Sequence, residues 1–196
     1  MSKIVAFESV TLDGVMQAPG RPDEDTRDGF THGGWAVPYT DAVVAEQAGS
    51  GGSGALLLGR RTYQDFYGFW PHQGDNPFTE ILNNTQKYVV STTLEEPLPW
   101  QHSTLLKGDV GMAVAALRDE PVDRVVILGS GQLVRSLMPH RLIDEYVVLI
   151  HPLVLGTGRR LFPEGTSPSS LELVDTTIST TGVIIARYRE KTGQSQ

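Results

Sequence analysis

The sequence predicts an α/β protein built on a mixed, mainly parallel sheet with helices on both faces and an antiparallel C-terminal strand pair. Three observations carry this. Residues 4–7, 55–58 and 125–128 are short, wholly apolar runs. They lack polar alternation, as strands covered on both faces do. Such runs alternate with segments of helical spacing, the pattern of a wound sheet. Residues 171–176 and 183–189 are strand-like and joined only by a short polar turn, which makes them antiparallel.

Taken in order, residues 4–10 form a first, central strand that ends at Thr11-Leu12-Asp13-Gly14, where Asp-Gly marks a turn. Residues 15–34 are rich in Gly, Pro, Asp and Arg and have no periodicity. A loop of that length is uncommon in a compact domain unless it has a task such as covering a ligand; a disordered insertion is the alternative. Residues 40–47 read as a helix capped by Thr40 or Asp41. The Gly/Ser run 49–54 reads as a flexible connector, because a phosphate-binding P-loop would need Lys-Ser/Thr after it. Residues 55–58 are a second strand, and Gly59 opens a helix whose start is crowded by Arg60, Arg61 and Thr62. Residues 87–90 are a third strand, ending in Ser91-Thr92-Thr93, and residues 100–106 a short edge strand. Asp109 caps a helix that Pro121 terminates. Residues 125–128 lead through Gly129-Ser130-Gly131 directly into a helix carrying Leu133, Val134, Leu137 and Met138, which Pro139 stops. Residues 146–150 precede His151-Pro152 and a glycine turn, and the antiparallel pair follows. Residues 1–189 are expected to form one domain, and 190–196 a loose tail.

A chain of 196 residues can bury one well-packed core. A net charge of -7 argues against nucleic-acid binding, which needs a positive footprint. With no cysteine there is no disulfide or thiolate chemistry. No apolar run reaches the ~20 residues of a membrane span, and MSKIVAFESV has no signal-like core. The expectation is a cytoplasmic protein with no membrane partner. The histidines at 32, 72, 102, 140 and 151 show no ligand spacing, so no metal site is expected.

Ligands of wound sheets sit beyond the carboxyl ends of the strands. Residues 9–14, 59–62, 91–93 and 129–131 all fall at such ends. A Gly-Ser-Gly turn running into a helix leaves N–H groups open to a phosphate; a plain strand-to-helix turn is the alternative. Arg60 and Arg61 oppose the helix dipole unless an anion sits with them; otherwise they are two solvated arginines. Ser91-Thr92-Thr93 could meet a ribose or phosphate, or cap a turn. Phe66, Phe69 and Trp70 could wall a flat heterocycle or pack the core.

LLLGRRTYQDF, KYVVST, VVILGSGQL and EYVVLIHPLVLGTGRRLF, in that order, resemble the dihydrofolate reductase superfamily. TLDG and LVLGTGRRLF resemble one branch of it: the C-terminal reductase domain of bifunctional riboflavin-biosynthesis enzymes and its stand-alone bacterial relatives. The resemblance covers nearly the whole chain. It implies a dihydrofolate reductase-like fold and an NADPH-dependent reductase of a small pterin- or pyrimidine-like heterocycle. The alternative is a non-catalytic nucleotide- or flavin-binding protein on the same fold. On the matching positions, Gly59, Arg60, Arg61 and Thr62 would hold cofactor phosphates. Ser91 and Thr92 would face the adenosine ribose or its 2′-phosphate, and Gly129, Ser130, Gly131 and Gln132 would take the pyrophosphate. Relatives often carry an arginine where Thr93 stands, so preference for NADP over NAD rests on Arg60 and Arg61. The resemblance also implies a cis or strained Gly129–Ser130 peptide and a homodimer. For the proton donor it offers Asp41, whose spacing does not match and whose other reading is a helix cap. Glu46 and Asp13 are further candidates, the latter matching the branch's motif, with turn formation as its other reading. Dihydrofolate itself fits less well, because the family's carboxylate has no clear match.

Overall fold

The computed structural model describes residues 1–51, 54–74 and 76–191. Eight strands form one sheet: β1 (Lys3–Thr11), β2 (Ala55–Gly59), β3 (Lys87–Val90), β4 (Ser103–Leu106), β5 (Arg124–Leu128), β6 (Glu145–His151), β7 (Leu171–Ile178) and β8 (Ile184–Glu190). Their order is β4-β3-β2-β5-β1-β6-β8-β7. The first six strands are mutually parallel; β8 runs antiparallel to β6, and β7 antiparallel to β8. The helices are α1 (Ala42–Gly51), α2 (Arg60–Phe69), α3 (Pro77–Asn84), α4 (Val110–Ala116) and α5 (Gly131–Leu137).

Side chains alternate across a strand with period two, and the two cores show it. Ile4, Ala6 and Val10 of β1 face one way, with Val125 and Ile127 of β5, against Val114 of α4 and Leu133, Val134 and Leu137 of α5. Val5 and Phe7, with Leu56, Leu58 and Val126, face the other way, against Val44 of α1, Tyr63 of α2 and Leu82 of α3. Both faces of the central strands are thus covered. This explains why their sequences are continuous apolar runs.

The structure departs from the expected elements in four places. The helix expected at 40–47 continues to Gly51, so Gly49–Gly51 of the expected connector are helical; residues 52 and 53 lie outside the described residues. The edge strand begins only at Ser103. Trp100 instead turns into the core, its Nε1 donating to Asn83 Oδ1 at 2.7 Å and its N–H to the Tyr63 hydroxyl at 3.0 Å. Helix α3 was not expected; Asn76 caps it and Pro77 occupies its first turn. Its last carbonyls are held by Lys87 Nζ, fully buried, which donates to Leu82 O and Thr85 O. Glu190 belongs to β8 and Lys191 N–H bonds Ser170 O, so ordered pairing extends past 189; residues 192–196 lie outside the described residues. Among the described residues no helix is long and apolar enough to cross a membrane.

Candidate functional site

Strands β2 and β5 are parallel neighbours, with Leu57 beside Ile127. Helices α2 and α5 therefore start side by side at the same rim, although they then pack on opposite faces. A closed set of hydrogen bonds joins the two starts. Gly59 N–H donates to Ser130 Oγ at 3.1 Å, Ser130 Oγ donates to Thr62 Oγ1 at 3.0 Å, and Thr62 Oγ1 donates to Gly129 O at 2.9 Å. The third segment, Ser91–Thr93, ends β3, which pairs with β2 on its other side, Val90 beside Gly59. The rim thus runs from Ser91–Thr92 through Gly59–Thr62 and Gly129–Gln132 to the β1 turn at Thr11–Gly14. At ~4.8 Å between strands, the span from β3 to β1 is roughly 14 Å.

Capping separates these two helix starts from the others. Asp41 Oδ1 accepts from Val44 N–H, Asn76 Oδ1 from Phe78 N–H and Asp109 Oδ1 from Met112 N–H. At Gly59 and Ser130 no side chain caps the helix, so the first N–H groups of α2 and α5 keep donors to offer. Arg60 and Arg61 stand in the first turn of α2 with no carboxylate partner among the described residues. Arg60 reaches only Gln64 Oε1, at 3.1 Å. Gln132 is exposed at the start of α5. Ser91 spends its hydroxyl on its own turn, accepting from Thr93 N–H and Leu94 N–H at 3.1 and 3.0 Å. Thr92 beside it is exposed.

The Gly129–Ser130 peptide is trans, contrary to expectation; the cis peptide among the described residues is Glu96–Pro97. The turn is made by Gly129 at φ +60°, a left-handed conformation glycine adopts at little cost. Gly131 is buried because Met16 lies on it: a Cβ there would fall 2.1 Å from Met16 Sδ. The space over this helix start is filled by the tip of a flexible side chain, not by backbone, so a ligand can claim it by moving Met16.

Met16 belongs to the 15–34 segment, which is ordered. Val15, Ala18, Phe30 and Trp35 form a small core of their own. Gln17, 3 % exposed, donates to Asp25 O and Arg27 O and accepts from Arg159 N–H at 2.9 Å. Arg21 ends the crossing on α2, paired with Asp65 at 2.6 Å and lying 4.2 Å above the Phe69 ring. The segment therefore straps the rim from the start of α5 to the flank of α2. Phe66 and Trp70 pack against the core.

The acidic candidates stand in structural roles. Asp13 accepts from the Thr11 hydroxyl at 2.6 Å and from Leu155 N–H and Gly156 N–H at 3.2 and 2.8 Å. The Thr11 bond foremost holds its carboxyl below the usual range. Asp41 caps α1 and binds both N–H and hydroxyl of Thr180 at 2.7 Å, which likewise keep it low. Both carboxyls are ionised at neutral pH, Asp13 tying the 155–156 turn to the end of β1 and Asp41 tying the β7–β8 turn to the start of α1, so neither geometry suits a proton donor. Glu46 is exposed. The residue that the sequence reading passed over is Glu8. It stands in the middle of β1, 2 % exposed, and its Oε1 accepts from Ser130 N–H at 2.9 Å. Burial pushes its carboxyl up to about 8, against the pull of Ser130 N–H and the charge of Arg135. One acid among the apolar alternate positions Ile4, Ala6 and Val10 of a central strand was the available signal. Among the described residues no group of three or more His, Asp or Glu gathers as a metal site.

Residues 2–185 match the RibD C-terminal domain model. The chain is 27% identical over 138 residues to the uncharacterized protein YyaP of Bacillus subtilis, covering 68% of this chain and 72% of that one. Among solved structures, a pyrimidine reductase-like protein from Corynebacterium diphtheriae superposes with TM-score 0.67 at 14% identity, covering 98% of this chain and 93% of the other. Dihydrofolate reductase from Enterococcus faecalis, complexed with NADP(H) and RAB-propyl, superposes with TM-score 0.60 at 16% identity over 96% of both chains. The fold is therefore dihydrofolate reductase-like, and the chain belongs to the RibD C-terminal domain family.

Proposed function

We propose that this protein is an NADPH-dependent reductase of a small pterin- or pyrimidine-like heterocycle and works as a homodimer. The observation that carries the reading is the pair of uncapped helix starts, locked together by Ser130 and Thr62 and flanked by Arg60 and Arg61, which have no carboxylate partner among the described residues. Family membership and the NADP(H) carried by the E. faecalis neighbour support it. Gly59 to Thr62 and Gly129 to Gln132 would hold the phosphates, with Arg60 and Arg61 supplying charge. Thr92 would meet the adenosine end, and Ser91 would fix that turn. When bound, the nicotinamide supplies hydride; the protein's part is to orient the ring, place the heterocycle and exclude water. The strap from Met16 to Arg21 serves exclusion, and Asp13 serves placement by pinning the 153–160 segment through Leu155 and Gly156.

The homodimer reading draws on β7, an edge strand exposed along nearly its whole length, with Leu173, Val174 and Ile178 at 52%, 50% and 68% exposure. Such an edge invites pairing with another chain. The function is tested by titrating NADPH and NADH into the protein while following nucleotide fluorescence, then adding candidate heterocycles and following nucleotide oxidation. Tighter binding of NADPH and turnover with a pterin or pyrimidine are expected. Saturable binding with no turnover on any such heterocycle would leave a passive nucleotide binder, and no binding would remove the cofactor.

A further inference from the structure

We infer that Glu8 is a positioning residue of the cofactor cradle: from the middle of β1 it grips Ser130, and through Ser130 it sets the spacing of the two helix starts. The inference rests on the NADPH reading above. Phe7 beside Leu128 is the last rung of the β1–β5 ladder, whereas β1 runs on beside β6, with Glu8 opposite Val148. Glu8 thus lies where β5 has ended and its chain turns into α5. It shares the α5-facing side of β1 with Ile4, Ala6 and Val10. An aliphatic residue would suit that burial, and an acid there costs free energy. What the acid provides is a bond to Ser130 N–H at 2.9 Å, on the residue whose hydroxyl receives Gly59 N–H and reaches Thr62. β1, α5 and α2 are connected through that single serine.

The protonation state follows from the surroundings. The charged group facing Glu8 is Arg135 on α5, which in turn feels Arg159 from the segment after β6. Neighbouring strand positions, Val148 and the Gly129 turn, carry no charge. Burial outweighs Arg135, so the acid is neutral below about pH 8 and grips Ser130 with an uncharged oxygen. A neutral group is compatible with a phosphate at the adjoining N–H groups. An ionised one repels it.

The test compares wild type, Glu8→Gln and Glu8→Val. Without nucleotide, the Ser130 amide resonance should titrate near pH 8 in wild type and stay flat in Glu8→Gln. With NADPH, wild-type affinity should fall above pH 8 by up to about tenfold per unit, the slope of a one-proton linkage. Glu8→Gln keeps an acceptor oxygen and should rescue binding without that fall, whereas Glu8→Val should weaken it tenfold or more. If Glu8→Val does not fold, the contrast in pH profile between wild type and Glu8→Gln decides. A Glu8→Val protein that binds like wild type, or a Glu8→Gln protein with the wild-type profile, overturns the inference alone. A wild type that binds no NADPH while Ser130 still titrates overturns the cofactor reading and the cradle role with it.

Discussion

Arg60 and Arg61 occupy the one turn of α2 where the helix dipole disfavours positive charge, and among the described residues no carboxylate relieves them. On the proposed reading, an anion brought from outside the chain offsets their charge. A charge-assisted hydrogen bond contributes about 1.5–3 kcal/mol, so Arg60→Ala or Arg61→Ala should weaken NADPH by roughly 10- to 100-fold, with a shallower salt dependence than wild type. Unchanged affinity in both would return them to the status of solvated surface arginines. Glu8 makes a second prediction at this scale, independent of any ligand. Its pKa rises from 4.5 in an ordinary carboxyl to about 8 in the fold. Its contribution to stability is complete below about pH 4.5 and is lost as pH rises through about 8, at about 1.4 kcal/mol per unit. Glu8→Gln should therefore gain on wild type between pH 5 and 8 in thermal or urea unfolding, with no growing difference below 4.5. A constant gap across that window would show that the fold does not raise the Glu8 pKa.

At the scale of elements, the strap over the rim is fastened on both sides, to the 153–160 segment through Gln17 and Asp28 on Arg159, and to α2 through Arg21. The Arg21–Asp65 pair and the Phe69 ring beneath it fasten one end. Arg21→Ala should speed proteolytic cleavage between residues 18 and 34 severalfold while the sheet amides keep their exchange protection; equal cleavage rates would mean the strap holds without that end. The central elements were legible in the sequence because strands such as 125–128 are apolar on both faces and run straight into their helices. The strap was not: its order comes from Trp35 and Phe30 meeting Leu153 and Leu155, and from Gln17 bonding carbonyls eight and ten residues away, contacts with no local period. Helix α3 was passed over despite Asn76-Pro77, a cap-and-first-turn pair. Trp100 looked like a strand residue because its partners, Asn83 and Tyr63, are remote in sequence. The site shows the same division. That Gly59–Thr62 and Gly129–Gln132 start two helices at one rim was readable from local sequence, but that Asp13 and Asp41 are engaged by Gly156 and Thr180 could be seen only in the fold.

For the whole molecule, the strand order places the turns at Ser91–Thr93, Gly59–Thr62, Gly129–Gln132 and Thr11–Gly14 on one rim and leaves β7 as an open edge at the far end from β4. Leu173 and Ile178 on that edge are exposed apolar side chains of the kind a second copy would cover. Light scattering should report a dimer for wild type, and Leu173→Lys with Ile178→Lys should shift it to monomer without loss of the folded far-UV spectrum. A wild-type monomer at tens of micromolar would remove the assembly. The central claim is that the starts of α2 and α5 together receive the diphosphate of a nicotinamide nucleotide. Titrating NADPH into isotope-labelled protein and following amide shifts tests it most directly. The largest changes are expected at Gly59 to Thr62 and Gly129 to Gln132, with Met16 moving in step; shifts confined to other surfaces, or none at saturating nucleotide, would contradict it.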